Sequence, residues 1–195
     1  MYYNNIETFN EHNQRCITTL HTVKITLGAN HVVNDAKIVG NKREIIYYAN
    51  SNNIMSDISY VDDKREGLTM KWYDNSQHSL KSEQHYVNGK LDGTWREWYD
   101  NDQHTLRSED HWVDGKLDGI LRYWYNNDQN TLESELQYVD GVQAGVQRWW
   151  YHNDQHTLRS EGHYVDDKKH GRWLEFDING NITSDEQYVN DVIQQ

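Results

Sequence analysis

Apolar positions are sparse along this chain, and they return at fixed intervals. Aromatic–valine dipeptides begin at Tyr60, Tyr86, Trp112, Tyr138, Tyr164 and Tyr188, separated by four steps of 26 residues and a last step of 24. A degenerate copy begins near Ile38, 22 residues before Tyr60. In the copy "YVNGKLDGTWREWYDNDQHTLRSEDH", residues 86–111, apolar and polar positions alternate with the two-residue period of a strand. "TWREWY" and "TLRSEDHWV" are rich in strand formers, and "DNDQH" between them is a polar loop. "NGKLDG" is a turn in which Asn88-Gly89 reaches positive φ cheaply. Each unit therefore reads as a β-hairpin, and consecutive hairpins join into an antiparallel meander. In the last copy "FDINGNI" replaces the longer loop, and Asn179-Gly180 there signals a tight hairpin. The expected fold is all-β: a single-layer antiparallel meander of repeated hairpins over residues 38–195, with repeats starting near 38, 60, 86, 112, 138 and 164 and a C-terminal cap from 188.

Alternation also assigns faces. Trp72, Leu80 and Tyr86 fall on one side, as do Trp98, Leu106 and Trp112, and then Trp124, Leu132 and Tyr138. Trp150, Leu158, Tyr164, Phe176, Ile182 and Tyr188 continue this apolar ladder, which is the expected core. The opposite face carries Glu83, Glu109, Glu135 and Glu161 beside Lys81, Arg107, Glu133 and Arg159. With Trp98 opposite Leu106, Glu97 falls opposite Arg107 and Trp149 opposite Arg159, giving an ion pair and a cation–π contact. One row of this face varies as Lys71, Glu97, Tyr123, Trp149, Glu175, and its neighbour as Thr69, Trp95, Leu121, Gln147, Trp173. Varied chemistry on a constant frame is where a partner surface is expected, with Trp95, Tyr123, Trp149 and Trp173 as aromatic anchors; neutral drift explains the variation equally well. Gly67, Gly93, Gly119, Gly145 and Gly171 recur just before the first strand of their units, as turn or twist points. Residues 1–37 fall outside the repeats. Strands are expected in "CITTLHTVKITL" and "HVV", forming a cap over the first edge strand or a separate interaction segment.

The motif aromatic-Val-x-Gly-Lys-x-x-Gly-x-x-x-x-Trp-Tyr, followed by Leu-x-Ser-Glu, resembles the variant MORN repeat of the YwqK-like proteins. The match covers residues 60 to 190 well and 38 to 59 weakly. The resemblance implies a single-layer array of antiparallel hairpins. For function it implies an antitoxin or immunity role, or the scaffolding, dimerisation and membrane-contact roles of other MORN proteins. The "DNDQH"-type loops depart from the family pattern by two extra residues.

Composition narrows the partner class. Only 35% of the 195 residues are hydrophobic, yet eight Trp and fourteen Tyr set the chain apart from a disordered acidic one. Proline is absent, in keeping with a continuous ladder that uses nearly every backbone donor. The net charge of −12 disfavours nucleic acid and anionic membrane surfaces; it is compatible with a basic protein partner, and plain solubility is the simpler explanation. The lone Cys16 provides no intramolecular disulfide framework and agrees with a reducing compartment. No signal-peptide core opens the sequence, so the expected location is cytoplasmic.

The polar clusters look chemical in isolation and repetitive in context. His78, His104 and His156 occupy equivalent loop positions, and His85, His111 and His163 equivalent strand positions. Equivalent residues of neighbouring repeats lie two strands apart, roughly 9–10 Å, too far to share a zinc ion easily. Loops such as "DND" lack the spacing of a strong calcium loop. Ser108 recurs as Ser82, Ser134 and Ser160, while Asn130 and Gln137 replace both histidines in one copy. A site repeated and then degraded is not one catalytic site. The expectation is no enzyme, no cofactor and no metal. The sequence points to a non-enzymatic protein-binding module, a scaffold or an antitoxin-like partner. The alternative is a structural protein that forms homo-oligomers through sheet edges or ends.

Overall fold

The computed structural model describes residues 4–12, 14–20, 40–49 and 51–194. The chain divides into two compact units, Met1–Leu91 and Asp92–Gln195. Every element among the described residues is a β-strand, and none of these residues forms a helix able to cross a membrane. The first unit holds β1 (Asn4–Phe9), β2 (Arg15–Leu20), β3 (Asn41–Tyr47) and β4 (Ile54–Val61), then β5 (Lys64–Arg65), β6 (Gly67–Trp72) and β7 (Leu80–Val87). They pair antiparallel in chain order, β4 bonding to both β5 and β6. Strand β8 (Lys90–Trp98) spans the division. The second unit continues with β9 (Leu106–Val113), β10 (Lys116–Leu117), β11 (Gly119–Trp124), β12 (Leu132–Val139) and β13 (Val142–Trp150). It ends with β14 (Leu158–Val165), β15 (Lys168–Lys169), β16 (Gly171–Phe176), β17 (Ile182–Val189) and β18 (Val192–Ile193). Each unit is a single-layer antiparallel meander of consecutive hairpins.

The hairpin turns use the residues that tolerate them. Asn88-Gly89, Asp114-Gly115 and Asp140-Gly141 hold φ near 50° and then 84–87°, the consecutive positive values of a type I′ turn. At Asn179-Gly180 only Gly180 is left-handed, and Asp177 N–H donates to Asn181 O across a three-residue loop. In the longer loops an Asn side chain closes the ring. Asn101 Oδ1 accepts from Thr105 N–H at 3.0 Å, and Asn127 and Asn153 do the same for Thr131 and Thr157. Repeats are then joined by a tyrosine. Tyr99 O–H donates to Trp124 O, Tyr125 to Trp150 O and Tyr151 to Phe176 O, at 2.7–2.9 Å. Tyr48 makes the same bond to Trp72 O, so the β3–β4 hairpin carries the joint of the later copies.

The expected faces are overturned by one residue per hairpin. Trp98 does pair with Leu106, but Glu97 pairs with Ser108, so Arg107 is an extra residue in a β-bulge. Met55, Lys81, Glu133, Arg159 and Thr183 are the extra residues of the other hairpins. A one-residue insertion moves everything beyond it to the opposite face. Trp98 and Leu106 therefore share a first face with Arg96 and Glu109. Trp112 lies on the second face with Trp95, Glu97 and Asp110, and Tyr86, Tyr138, Tyr164 and Tyr188 follow the same parity. The apolar ladder expected as one core is split between two faces. Trp149 opposes Ser160 instead of Arg159, and Arg107 reaches Glu97 only diagonally, at 3.7 Å.

Burial follows the corrected faces. In the second unit Leu121, Gln147 and Trp173 are buried along the middle of the second face, flanked by buried Ser108, Ser134 and Ser160; in the first unit Thr69 and Ser82, at the equivalent positions, are buried too. The first face is stitched by charge instead. In the second unit Arg96, Glu109, Arg122, Glu135, Arg148 and Glu161 alternate in one chain, with successive ion pairs at 2.7, 3.9, 2.9 and 3.6 Å before Arg148 meets Glu161.

The N-terminal segment is partly described. Strand β2 covers the beginning of "CITTLHTVKITL" and pairs with β3, while "HVV" and Ile38 lie outside the described residues. Strand β1 had no clear alternation to announce it.

Candidate functional site: an aromatic band on the second face

The band is built by glycine–aromatic pairing. Gly93, Gly119, Gly145 and Gly171 have φ between 72° and 123° and stand opposite Trp112, Tyr138, Tyr164 and Tyr188. What glycine supplies here is the positive φ; a Cβ at Gly119, Gly145 or Gly171 would be met by His111, Gln137 or His163, not by the ring across the ladder. Two residues further along each strand come Trp95, Leu121, Gln147 and Trp173, the middle row.

At one end of the second unit the rings of Trp95 and Trp112 lie 6.0 Å apart, tilted by 36°. Asp110 stands opposite Trp95 and accepts a hydrogen bond from Trp112 Nε1–H. Burial pushes the Asp110 carboxyl up to about 6, against the opposing pull of the Trp112 bond, and Glu97 and Glu109 add repulsion. Trp95 Nε1–H is buried without a hydrogen-bond partner. In the middle of the band Tyr123 stands between Ser108 and Ser134 and is 37% exposed. Burial chiefly, and then Asp110, raise its phenol above the ordinary range. At the other end Trp149 stands 5.8 Å from Trp173.

The four residues singled out in the sequence, Trp95, Tyr123, Trp149 and Trp173, all lie on this face, but in different roles. Trp173 is only 6% exposed. Its ring covers Gly162, where any Cβ would run into it, and meets Tyr164 and Tyr188 edge-on. Lys169 Nζ sits 3.9 Å above it. Trp173 is a packing residue, whereas Trp95, Tyr123 and Trp149 keep accessible surface. Sequence reasoning missed Trp112, Tyr138, Tyr164 and Asp110 as members of the band. Their constant spacing was visible, but the bulge that brings them here was not.

The histidines have structural engagements. His78, His104 and His156 adopt φ of 49–53° and stack on Trp72, Trp98 and Trp150 at 5.2–5.6 Å. His78 Nε2 also lies 2.8 Å from Ile54 O, and His156 Nε2 3.0 Å from Leu132 O. A separate stack joins Tyr125 to His152, with ring centroids 4.6 Å apart. Among the described residues no group of three or more His, Cys, Asp or Glu is placed to hold a metal ion. Comparison with known protein families gives no match for this chain, and comparison with curated proteins gives none either.

Proposed function

We propose that this chain is a non-enzymatic protein-binding repeat module, whose second face receives a protein partner. The observation that carries the reading is the accessible aromatic surface of Trp95, Tyr123 and Trp149, with Trp95 packed on Trp112, Trp149 on Trp173, and Tyr123 held by strand pairing near Glu97 and Arg107. Rigid, partly exposed Trp and Tyr with Arg nearby are the residue types that dominate binding energy at interfaces. The net charge of −12 favours a basic partner. The resemblance to the YwqK-like MORN repeats adds an antitoxin-like role, neutralising such a partner, or a scaffolding one. The test is to identify partners by affinity capture from the native source and compare variants against one of them. Trp149→Ala should weaken binding by about 30-fold, the equivalent of roughly 2 kcal/mol, with its melting transition retained. Unchanged affinity in both Trp149→Ala and Trp95→Ala would remove this face from the interface.

A second reading, self-assembly through sheet edges, is favoured by exposed apolar residues on the terminal strands. Ile6 and Phe9 on β1, and Val189, Val192 and Ile193 on β17 and β18, are all exposed. Sedimentation of the purified chain at rising concentration separates the readings: this one requires assembly without a partner.

A further inference from the structure

The last repeat contains a small constellation whose counterpart near the start of the second unit lacks its cation. Trp173 stands opposite Glu186, and Tyr188 stands opposite Gly171. Tyr188 O–H donates to Glu186 at 2.5 Å. Lys169, two residues before Gly171, places its Nζ 3.9 Å from the Trp173 ring and 5.0 Å from the Tyr188 ring. Two aromatic rings and a carboxylate thus receive a cation supplied by the chain itself. Cation–π attraction and the nearby negative charge act in the same direction.

The earlier repeat has the ring pair and the carboxylate without the cation, its rings tilted by 36° where Trp173 and Tyr188 meet edge-on. Trp95 stands opposite Asp110, Trp112 stands opposite Gly93, and the Trp112 indole N–H donates to Asp110 as Tyr188 does to Glu186. The position two residues before Gly93 is Leu91. Among the described residues no ion pair engages Asp110, whose carboxylate has the Trp112 N–H for a partner, with Glu97 from β8 and Glu109 from its own strand repelling it. Trp95, Asp110 and Trp112 each keep part of their surface accessible. An acceptor built for a positive group, in a chain that supplies the group at one repeat and withholds it at another, has a defined complement.

Resting on the protein-binding reading above, we infer that Trp95, Asp110 and Trp112 form a receptor for a lysine or arginine side chain of a basic protein partner, filled there from outside as Lys169 fills the equivalent site from within.

The probe is a hexa-arginine peptide, with hexa-lysine as the alternative cation and hexa-glutamate as the control, titrated into the full chain. Indole N–H resonances of Trp95 and Trp112 are followed by NMR. Hexa-arginine or hexa-lysine should shift both resonances, and hexa-glutamate neither. Asp110→Asn should abolish the shifts. Leu91→Lys, which puts a lysine at the sequence position that Lys169 holds in the last repeat, should weaken peptide binding at least tenfold, while Leu91→Met should leave binding unchanged. Peptides that move neither resonance, or that bind Leu91→Lys as well as the parent chain, would overturn the receptor. The broader reading fails separately: a protein partner lost with Trp149→Ala but indifferent to Asp110→Asn keeps the binding module and sinks this site.

Discussion

Asp110 bears a charge in a place that disfavours it. Burial raises its carboxyl to about 6 against the lowering effect of the Trp112 hydrogen bond, with Glu97 and Glu109 pushing the same way as burial. A carboxyl that holds its proton more tightly folded than unfolded lowers stability as pH rises. Below about pH 4 the group is protonated in both states and has no effect. Between about 4 and 6 the folded chain keeps a proton that the unfolded chain releases, and above 6 the full penalty is present. Asp110→Asn removes the charge while its side-chain oxygen still accepts from Trp112. It should therefore stabilise the chain at pH 7 by on the order of 1–2 kcal/mol, after discounting for partial solvent access. The gain should fade toward pH 4. Denaturation at both pH values checks the sign, and a gain that grew on acidification would contradict it. The serines of the neighbouring row have the opposite character. Ser82, Ser108, Ser134 and Ser160 are small, uncharged and buried, each directly after the extra residue of its bulge.

At the scale of the hairpin, the bulge decides what each residue does. In β14, Trp150 pairs with Leu158 and Trp149 with Ser160, so deleting Arg159 should close the ladder into regular pairing with every face preserved. Deleting His163 should instead carry Tyr164 to the first face, away from Gly145 and Trp173. Thermal melts should show a modest loss for the first deletion and loss of the cooperative transition for the second. Equal effects would mean that Arg159 is not the extra residue. The same device explains what was legible in the sequence. Turns, loops and hairpin order follow from local chemistry, and Asn88-Gly89 and the Trp98–Leu106 pairing fell where alternation put them. The faces did not, because Lys81, Arg107, Glu133 and Arg159 look like ordinary polar strand residues and nothing in their type marks an insertion. The charge ladder could have been found. Arg96 and Glu109, Arg122 and Glu135, Arg148 and Glu161 keep a constant separation of 13 residues. Contact between residues at that separation places Arg and Glu opposite each other, and that register already requires the bulge.

At the scale of the whole chain, the net charge of −12 acts before any contact forms. Charge of one sign concentrates an oppositely charged ligand near the surface and raises its association rate, while short-range contacts mainly set how long it stays. Salt shortens the reach of that field, with a screening length of about 10 Å at 0.1 M and about 3 Å at 1 M. For the hexa-arginine peptide, association followed by tryptophan fluorescence should therefore slow by about tenfold or more between low and high salt. Dissociation should change much less. Asp110→Asn alters one charge in a field set by many, so it should chiefly speed dissociation and leave the salt slope of association nearly intact. Acidification through about pH 6 should reproduce the effect of that substitution, because protonation removes the carboxylate from its place between Trp95 and Trp112. Association indifferent to salt would show that the acidic surface does not guide the ligand. Dissociation indifferent to pH across that range would separate Asp110 from the contact.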